Sequence, residues 1–543
     1  MPVLSSRIDP HAERFVTQRD EMLERVARLR ELESKVRAHS ARARAKFEAR
    51  GQLLPRDRLA LLLDPGSPFL ELSTLAGLGM HDDDGEDGAQ GGGSIAGIGF
   101  VEGIRAMVTV TDSGIKGGSV PPMGLKKGLR MQELALENHL PIITLAESAG
   151  ANLLYQDELF VEGGRTFANQ ARLSATGLPQ VTVVHGSSTA GGAYLPGLSD
   201  YVIVVRDRTK IFLAGPPLLK AATGEIAEEE ELGGAVMHST VAGTAEYLAE
   251  DDAHAIELAR EVFAKLGWDA GGTEGSRTSP RSFAPPRYDP DELCGVVPVD
   301  YRRAYDVREV IARIVDDSDF LDFKPSFGPH TVCGRAAIEG HALGILGNNG
   351  PIDPDGAAKA AQFIQLCNQS RTPLLFLQNT TGYLVGRDAE ARGIVKHGSK
   401  MIQAVANTTV PKITLVIGGS WGAGNYGMAG RGLSPRFIFS WPNARVGVMG
   451  PDQAATVLEI ITRAKIRRQS GQDMPQDFVD ALKNEVIQRM EPQTSVFYGT
   501  ARLWDDGVID PRDSRRVVAF CLATCREAQM RTLCPNTFGV ARM

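Results

Sequence analysis

Leu178-Pro179-Gln180-Val181-Thr182-Val183-Val184 is an apolar, β-branched run, and it is followed by Ala190-Gly191-Gly192-Ala193-Tyr194. The chain repeats this pattern. Val410-Pro411-Lys412-Ile413-Thr414-Leu415-Val416 precedes Gly422-Ala423-Gly424-Asn425-Tyr426, and Pro179 and Pro411 stand 232 residues apart, as do Gly191 and Ala423. Upstream, Leu140-Pro141-Ile142-Ile143-Thr144-Leu145 answers Thr372-Pro373-Leu374-Leu375-Phe376-Leu377 at the same spacing. Three anchors in one register imply two homologous domains, each with a strand that runs into a glycine-rich turn and then a helix. Such a turn presents backbone N–H groups that have no partner within the helix, which suits an anion. Two such turns suggest chemistry in which two separate anions are stabilised.

A chain of 543 residues exceeds one core. The net charge of −7 argues against a general nucleic-acid surface. No run approaches the roughly 18–20 apolar residues of a membrane span, and no secretory signal is expected at the start. The six cysteines form no CxxC pair, so reduced, mostly buried thiols in a cytoplasmic protein are expected, with no metal.

The expected organisation has four parts. A charged helical arm covers 1–60, with Phe15, Met22, Leu23, Val26, Leu29 and Leu32 at helical spacing. The first domain spans 61–272, a linker spans 273–290, and the second domain spans 291–543. His81 to Gly93 reads as a mobile loop. Strands are expected near 105–111, 140–146, 180–185 and 201–205, and again near 342–347, 373–378, 412–417 and 436–441. Their alternation with helical stretches gives α/β architecture with parallel βαβ units.

The N–H groups of Gly191 and Gly192 are placed to meet one developing oxyanion, and those of Ala423 and Gly424 a second. A tight strand–helix turn without a ligand is the plainer reading of either alone. Lys116-Gly117-Gly118, with Lys126, Lys127 and Arg130, offers positive charge for phosphates, against the plainer reading of a solvated helix face. Ser148 and Ser188 lack a GxSxG context, so serine hydrolysis is not expected.

Further strings carry a family resemblance. Asn379-Thr380-Thr381-Gly382-Tyr383, Lys396-His397-Gly398, Gly422 to Met428, Trp441-Pro442-Asn443-Ala444 and Val448-Met449-Gly450 resemble the carboxyltransferase β subunit of biotin-dependent acyl-CoA carboxylases. In the first half, Gly117-Gly118, Thr189 to Tyr194, Phe212 to Pro217 and Lys220 to Glu225 are similar to the same family. The pattern is nearest the methylcrotonyl-CoA and geranyl-CoA branch. The resemblance implies two crotonase-type domains in tandem. It implies a ligase complex in which this chain moves a carboxyl group from carboxybiotin to an acyl-CoA. Biotin would be carried by a partner α subunit with biotin carboxylase and biotin carrier functions, since this chain has neither an ATP-grasp signature nor an Ala-Met-Lys-Met string. A hexamer within an α6β6 complex is implied, with each site shared between two subunits.

By the same resemblance, Gly191 and Gly192 serve the acyl-CoA enolate, and Ala423 and Gly424 the biotin enolate. Lys116, Gly117, Gly118, Lys126, Lys127, Ala149, Gly150, Ala168, Ala193 and Tyr194 are expected on the thioester side. Thr381, Gly382, Tyr383, Asn425 and Tyr426 are expected on the biotin side. No protein base is needed, because the biotin enolate can take the substrate proton.

Departures from the family pattern concern the substrate. Val161 to Gln170 is short and carries Gly163, Gly164 and Ala168 where the methylcrotonyl-type proteins have a longer segment with a bulky aromatic. A roomier pocket is therefore expected, with geranyl-CoA as leading substrate, unless Tyr155 or Phe160 fills the gap. Propionyl-, acetyl- or longer-chain CoA are the alternatives within the class. A crotonase-fold CoA hydratase, isomerase or decarboxylase is an alternative outside it. That alternative needs a placed carboxylate near one hole and leaves the second turn unexplained. A scaffold would explain neither turn.

Overall fold

The computed structural model describes residues 3–81, 83, 90–268, 282–471 and 473–540. Two units result. One holds Arg30–Thr278, Ala501–Leu503 and Thr524–Met543, and is called here the first-half unit. The other holds Met1–Leu29, Ser279–Thr500 and Trp504–Ala523, the second-half unit. The arm expected as one module is therefore divided at Leu29, within a single helix α1, Glu13–Ala41. Phe15, Met22, Val26, Leu29 and Leu32 are buried along it. Most of the expected linker, 273–281, lies outside the described residues, as do 82 and 84–89 of the expected mobile loop. The end of that loop, Gln90–Gly93, is a 3-10 turn whose three glycines all have φ near +65°.

The first-half sheet is built on five strands: β1 (Ser94–Val101), β2 (Ile104–Thr111), β3 (Ile142–Ser148), β4 (Gln180–Thr189) and β5 (Tyr201–Val205). They lie side by side in that order, with Leu70–Glu71 and Tyr247–Ala249 at the edges. The second-half sheet repeats it: β6 (Thr331–Ile338), β7 (His341–Asn348), β8 (Leu374–Thr380), β9 (Lys412–Trp421) and β10 (Phe437–Ser440). The expected strands are all present, so the two tandem α/β domains are as the repeat implied.

The parallel βαβ units are present, and each sheet adds an antiparallel hairpin to them. β1–β2 and β6–β7 are antiparallel hairpins, and only the pairings from β2 and from β7 onward are parallel. The cause is local. Val101 pairs with Ile104 and Ile338 with His341, leaving two-residue turns in which Glu102, Gly103, Glu339 and Gly340 all have positive φ. One carboxylate grips each turn. Asp64 accepts from the N–H groups of Glu102 and Gly103, and Asp316 from those of Glu339 and Gly340.

Helices α2 (Pro122–Glu137) and α3 (Gln156–Ala175) cover one face of the first sheet; α4 (Pro354–Gln369) and α5 (Ile394–Asn407) do so in the second. α2 and α4 each begin with proline, whose fixed φ suits the first helical turn. On the other face of the first sheet, Ile143, Leu145, Val181, Val183 and Ile203 pack with Leu59, Leu62 and Phe263. These cores hold the strand ends, and the strand ends carry the turns.

Candidate active site

Near its end, β3 slips register against β4 between Ala146 and Ser148, and β8 slips against β9 between Gln378 and Thr380. The displaced strand turns sharply. Gly150 (φ +89°) and Gly382 (φ +118°) follow, each N–H donating to the hydroxyl two residues back: Ser148 Oγ at 3.1 Å and Thr380 Oγ1 at 3.2 Å. β4 and β9 then end in residues forced into the left-handed region, Ala190 and Gly422, both at φ +53°. A non-glycine there is strained, so Ala190 marks a conformation that the surroundings impose. Short helical turns follow, Ala190–Ala193 and Gly422–Gly427. The slips, the two glycines, the two hydroxyls and the left-handed residues are each 232 residues apart.

Gly191 and Ala423 are exposed at the start of these turns. Gly192 lies against the Ser148 side chain, and its carbonyl accepts from Ser188 Oγ at 2.9 Å. Gly424 is buried; a Cβ there would meet Gly382 Cα at 2.7 Å, so the two loops touch backbone to backbone. Tyr194 and Tyr426 close the turns at equal exposure, 48%. Ala193 is buried.

On the first side, Gly118 approaches so closely that a Cβ would lie 2.2 Å from the Glu147 carbonyl oxygen. Ala149 N–H donates to the Gly118 carbonyl at 3.2 Å, and Ser119–Val120 pairs with Gly150–Ala151 as a two-stranded ribbon. Gly117, Gly118, Ala149, Gly150, Gly191 and Gly192 are thus gathered in one place. Lys116 is exposed beside them, at φ +45°.

The basic cluster is corrected. Lys127 is 1% exposed and points inward, Nζ donating to Gly91 O at 3.0 Å and Ser94 O at 2.7 Å. Burial pushes it down to about 8. Adjacent helix positions cannot share a face, and Lys126 takes the outer one, 3.9 Å from Glu158. Arg130 pairs with Glu133 at 2.7 Å. Only Lys116 and Lys126 of the expected phosphate group lie on the surface.

Gly163 and Gly164 have nothing within 4 Å of where a Cβ would stand. Phe160 is 85% exposed and Tyr155 packs edge-on against His81, so neither fills that space. The aromatic next to the turn is Phe167, one residue before Ala168. Its ring reaches within 3.8 Å of a Gly191 Cβ position and meets Tyr194 edge-on at 5.7 Å.

On the second side, Thr381 is exposed while Thr380, its neighbour, binds the loop. Tyr383 is half-buried, its hydroxyl donating to Gly398 O at 3.3 Å; burial raises its pKa. Asn425 Nδ2 donates to Ser420 Oγ at 2.8 Å, so it supports the turn from within.

Sequence reasoning missed a buried ionic network under the first turn. Arg58 Nη1 meets Glu147 at 2.9 Å, Arg58 Nε meets Asp252 at 3.2 Å, and His185 Nδ1 bonds Asp252 at 2.8 Å. Burial pushes the Asp252 carboxyl up, but the His185 hydrogen bond and the Arg58 charge overcome it and hold it at about 2. Burial, with Arg58, pushes His185 below its ordinary range against the pull of Asp252. Glu147 packs on Gly186 and is committed to Arg58. No sequence spacing signals these four residues.

The carboxyl transferase domain model matches residues 46–540. The chain is 46% identical over 558 residues to the probable mitochondrial methylcrotonoyl-CoA carboxylase beta chain of Drosophila melanogaster, covering 100% of this chain and 95% of that one. It is 48% identical over 505 residues to the biotin-dependent 3-methylcrotonyl-coenzyme A carboxylase beta1 subunit of Mycobacterium tuberculosis, covering 92% and 93%. The crystal structure of the P. aeruginosa geranyl-CoA carboxylase beta subunit superposes with a TM-score of 0.93 at 58% identity, over 100% of both chains.

Proposed function

The chain belongs to the carboxyl transferase family, and from that premise we propose that it is the carboxyltransferase β subunit of a biotin-dependent acyl-CoA carboxylase. It moves a carboxyl group from carboxybiotin to an enoyl-CoA of the geranyl or methylcrotonyl type. The observation that carries this reading is the turn built twice, down to the left-handed residue at 190 and 422. The transfer develops negative charge on two oxygens, the thioester oxygen and the ureido oxygen of biotin. Gly191 and Gly192 face the first, Ala423 and Gly424 the second. One such donor is worth about 2.7–4 kcal/mol in comparable sites.

The second-half turn fits biotin in its shape: Gly422 and Gly424 add no side chain, and Gly382 lets the loops meet. Bound there, biotin supplies the carboxyl group. Lys116 and Lys126 are the cations for the CoA phosphates. A hydratase or isomerase is disfavoured because Glu147, the carboxylate that directly precedes Ser148 at the first turn, is tied to Arg58.

Biotin comes on a partner α subunit, as the names of the relatives suggest. The family resemblance supports a hexamer in an α6β6 complex, and exposed Leu153, Leu154, Phe160 and Val161 offer apolar surface for assembly. Five of the six cysteines are buried and all six are free, which supports a reducing compartment, the cytoplasm.

For the substrate, Gly163 and Gly164, which add no side chain to α3, support a longer acyl tail than methylcrotonyl. Each extra buried CH₂ contributes roughly 0.8 kcal/mol. Specificity constants with the biotin partner supplied test this. Geranyl-CoA is expected to exceed methylcrotonyl-CoA, and preference for acetyl- or propionyl-CoA defeats the reading.

A further inference from the structure

Between the first sheet and helices α2 and α3 lies a cavity of about 180 Å³. The matching layer of the second-half unit carries larger apolar side chains. Strand register fixes the correspondence: Thr109 pairs with Thr144 where Leu346 pairs with Phe376. On the following helices, Met131 and Gln132 stand where Phe363 and Ile364 stand, at the 232-residue spacing. Leu346, Phe363, Ile364 and Phe376 belong to one dry core. Their counterparts are shorter or polar, and all change in the same sense. A residual cavity costs stability, so smaller and polar residues placed together around one point to a use.

The cavity walls are mixed. Met107, Met131, Ile142 and Val181 are apolar. Thr109 and Thr144 bond each other at 2.9 Å, and Thr182 and Ser199 at 2.7 Å, so these hydroxyls satisfy one another. Gln132 and Gln170 are different: the Oε1 of each is buried and accepts from no donor. Gln170 is 3% exposed, and its Nε2 donates to Leu195 O at 2.7 Å and to Ser199 Oγ at 3.2 Å. A buried amide oxygen without a donor is an unmet acceptor.

The cavity wall at Gly118–Val120 belongs to the ribbon that pairs with Gly150–Ala151, and a further lining residue, Leu195, directly follows Tyr194 in the chain. Gly163, Thr166 and Gln170 are spaced three and four residues apart, so they share one face of α3 and lead inward.

We propose that this cavity receives the far end of the acyl chain and is matched to a chain that carries a hydroxyl group. The proposal rests on the reading of the first turn as the acyl-CoA side. The apolar walls take the carbons, and Gln170 Oε1 accepts from the hydroxyl. A dry engineered cavity of roughly 150 Å³ holds benzene, so the volume suits about six carbons.

Calorimetric binding to the full chain tests it with three thioesters: methylcrotonyl-CoA, geranyl-CoA, and a geranyl-type CoA with a hydroxyl at its chain end. Gly128 lines the cavity and a Cβ there meets nothing within 4 Å, so Gly128→Ala should fold and Gly128→Leu should fill the space. The hydroxylated chain is expected to bind wild type about tenfold tighter than geranyl-CoA, and Gln170→Leu to erase that difference. Gly128→Leu is expected to weaken both long chains about tenfold and leave methylcrotonyl-CoA unchanged. Unchanged long-chain binding in Gly128→Leu means a cavity that holds only water, and overturns the proposal. Loss of both long chains without any hydroxyl preference overturns the ligand class. If methylcrotonyl-CoA binds normally in either case, the acyl-CoA reading of the turn survives. If no thioester binds wild type, that reading and the proposal fall together.

Discussion

Beneath the turn at Ala190–Ala193 stand four ionisable side chains, Arg58, Glu147, His185 and Asp252, all buried. Beneath the turn at Gly422–Gly427, the positions that match Glu147 and His185 hold Asn379 and Ile417. The support there is uncharged: Asn379 Oδ1 accepts from Gly419 N–H at 2.9 Å while it packs on Gly418, and Gln378 Nε2 donates to Met428 O at 2.6 Å. The bulge, the left-handed residue and the hydroxyl that holds the loop are common to both. Backbone geometry is thus fixed by the strand ends, and the support beneath is free to differ. The charged support joins more of the chain. Gln52 and Leu53 bond His185 and Asp252, and Glu147 touches the segments at Gly118 and Gly186. The layer behind the turns differs too: a cavity with mixed walls in one unit, an aromatic core in the other.

The comparison breaks first at the ionic network. Asp252→Ala leaves Arg58 and His185 without a shared partner and is expected to cost about 3–5 kcal/mol. Asn379→Ala strands one N–H and is expected to cost about 1–3 kcal/mol. Denaturant melts of the two variants decide it, and equal losses would mean that the charges add nothing.

The layers give the next contrast. Phe376→Ala, in the dry core, is expected to cost about 3–5 kcal/mol. Thr144→Ala, at the matching position in the cavity wall, is expected to cost about 0.5–1.5 kcal/mol, the worth of one hydrogen bond. A Thr144→Ala loss as large as that of Phe376→Ala would show that the cavity wall is core after all.

Much of this was legible in the sequence. Period and glycine placement locate both turns, because strand, bulge and left-handed residue must recur for the backbone to repeat. The hairpin strands β1 and β6 were missed, although Glu102-Gly103 and Glu339-Gly340 are two-residue turn signals. Lys127 was misread because charge alone was weighed; one helix position separates it from Lys126, which sends the two to different faces. Arg58 and Asp252 are 194 residues apart and have no spacing to read. The cavity was equally hidden, since a void is the absence of volume across four strands and two helices.

Acid should separate the units by a smaller margin. His185 is held below its ordinary range in the fold, so its contribution is lost as pH falls below about 6.5. Asp252, held at about 2, contributes above about pH 4 and is lost only below it. In the second-half unit, burial raises Asp505 to about 6, so its contribution is present below about pH 4 and lost as pH rises through 6. Between pH 7 and 5, amide protection corrected for intrinsic exchange should therefore fall in β3 and β4 and hold in β8 and β9. Equal changes in the two sheets would remove the charged network as the cause.

The central claim is that the two turns each hold one oxyanion. Gly192→Pro and Ala423→Pro each delete one donor N–H. Carboxyl transfer, measured with the biotin partner supplied and with assembly and thioester binding checked, is expected to fall about 10²–10³-fold in both variants while the oligomer stays intact. Wild-type turnover in either variant, correctly assembled, would contradict the account.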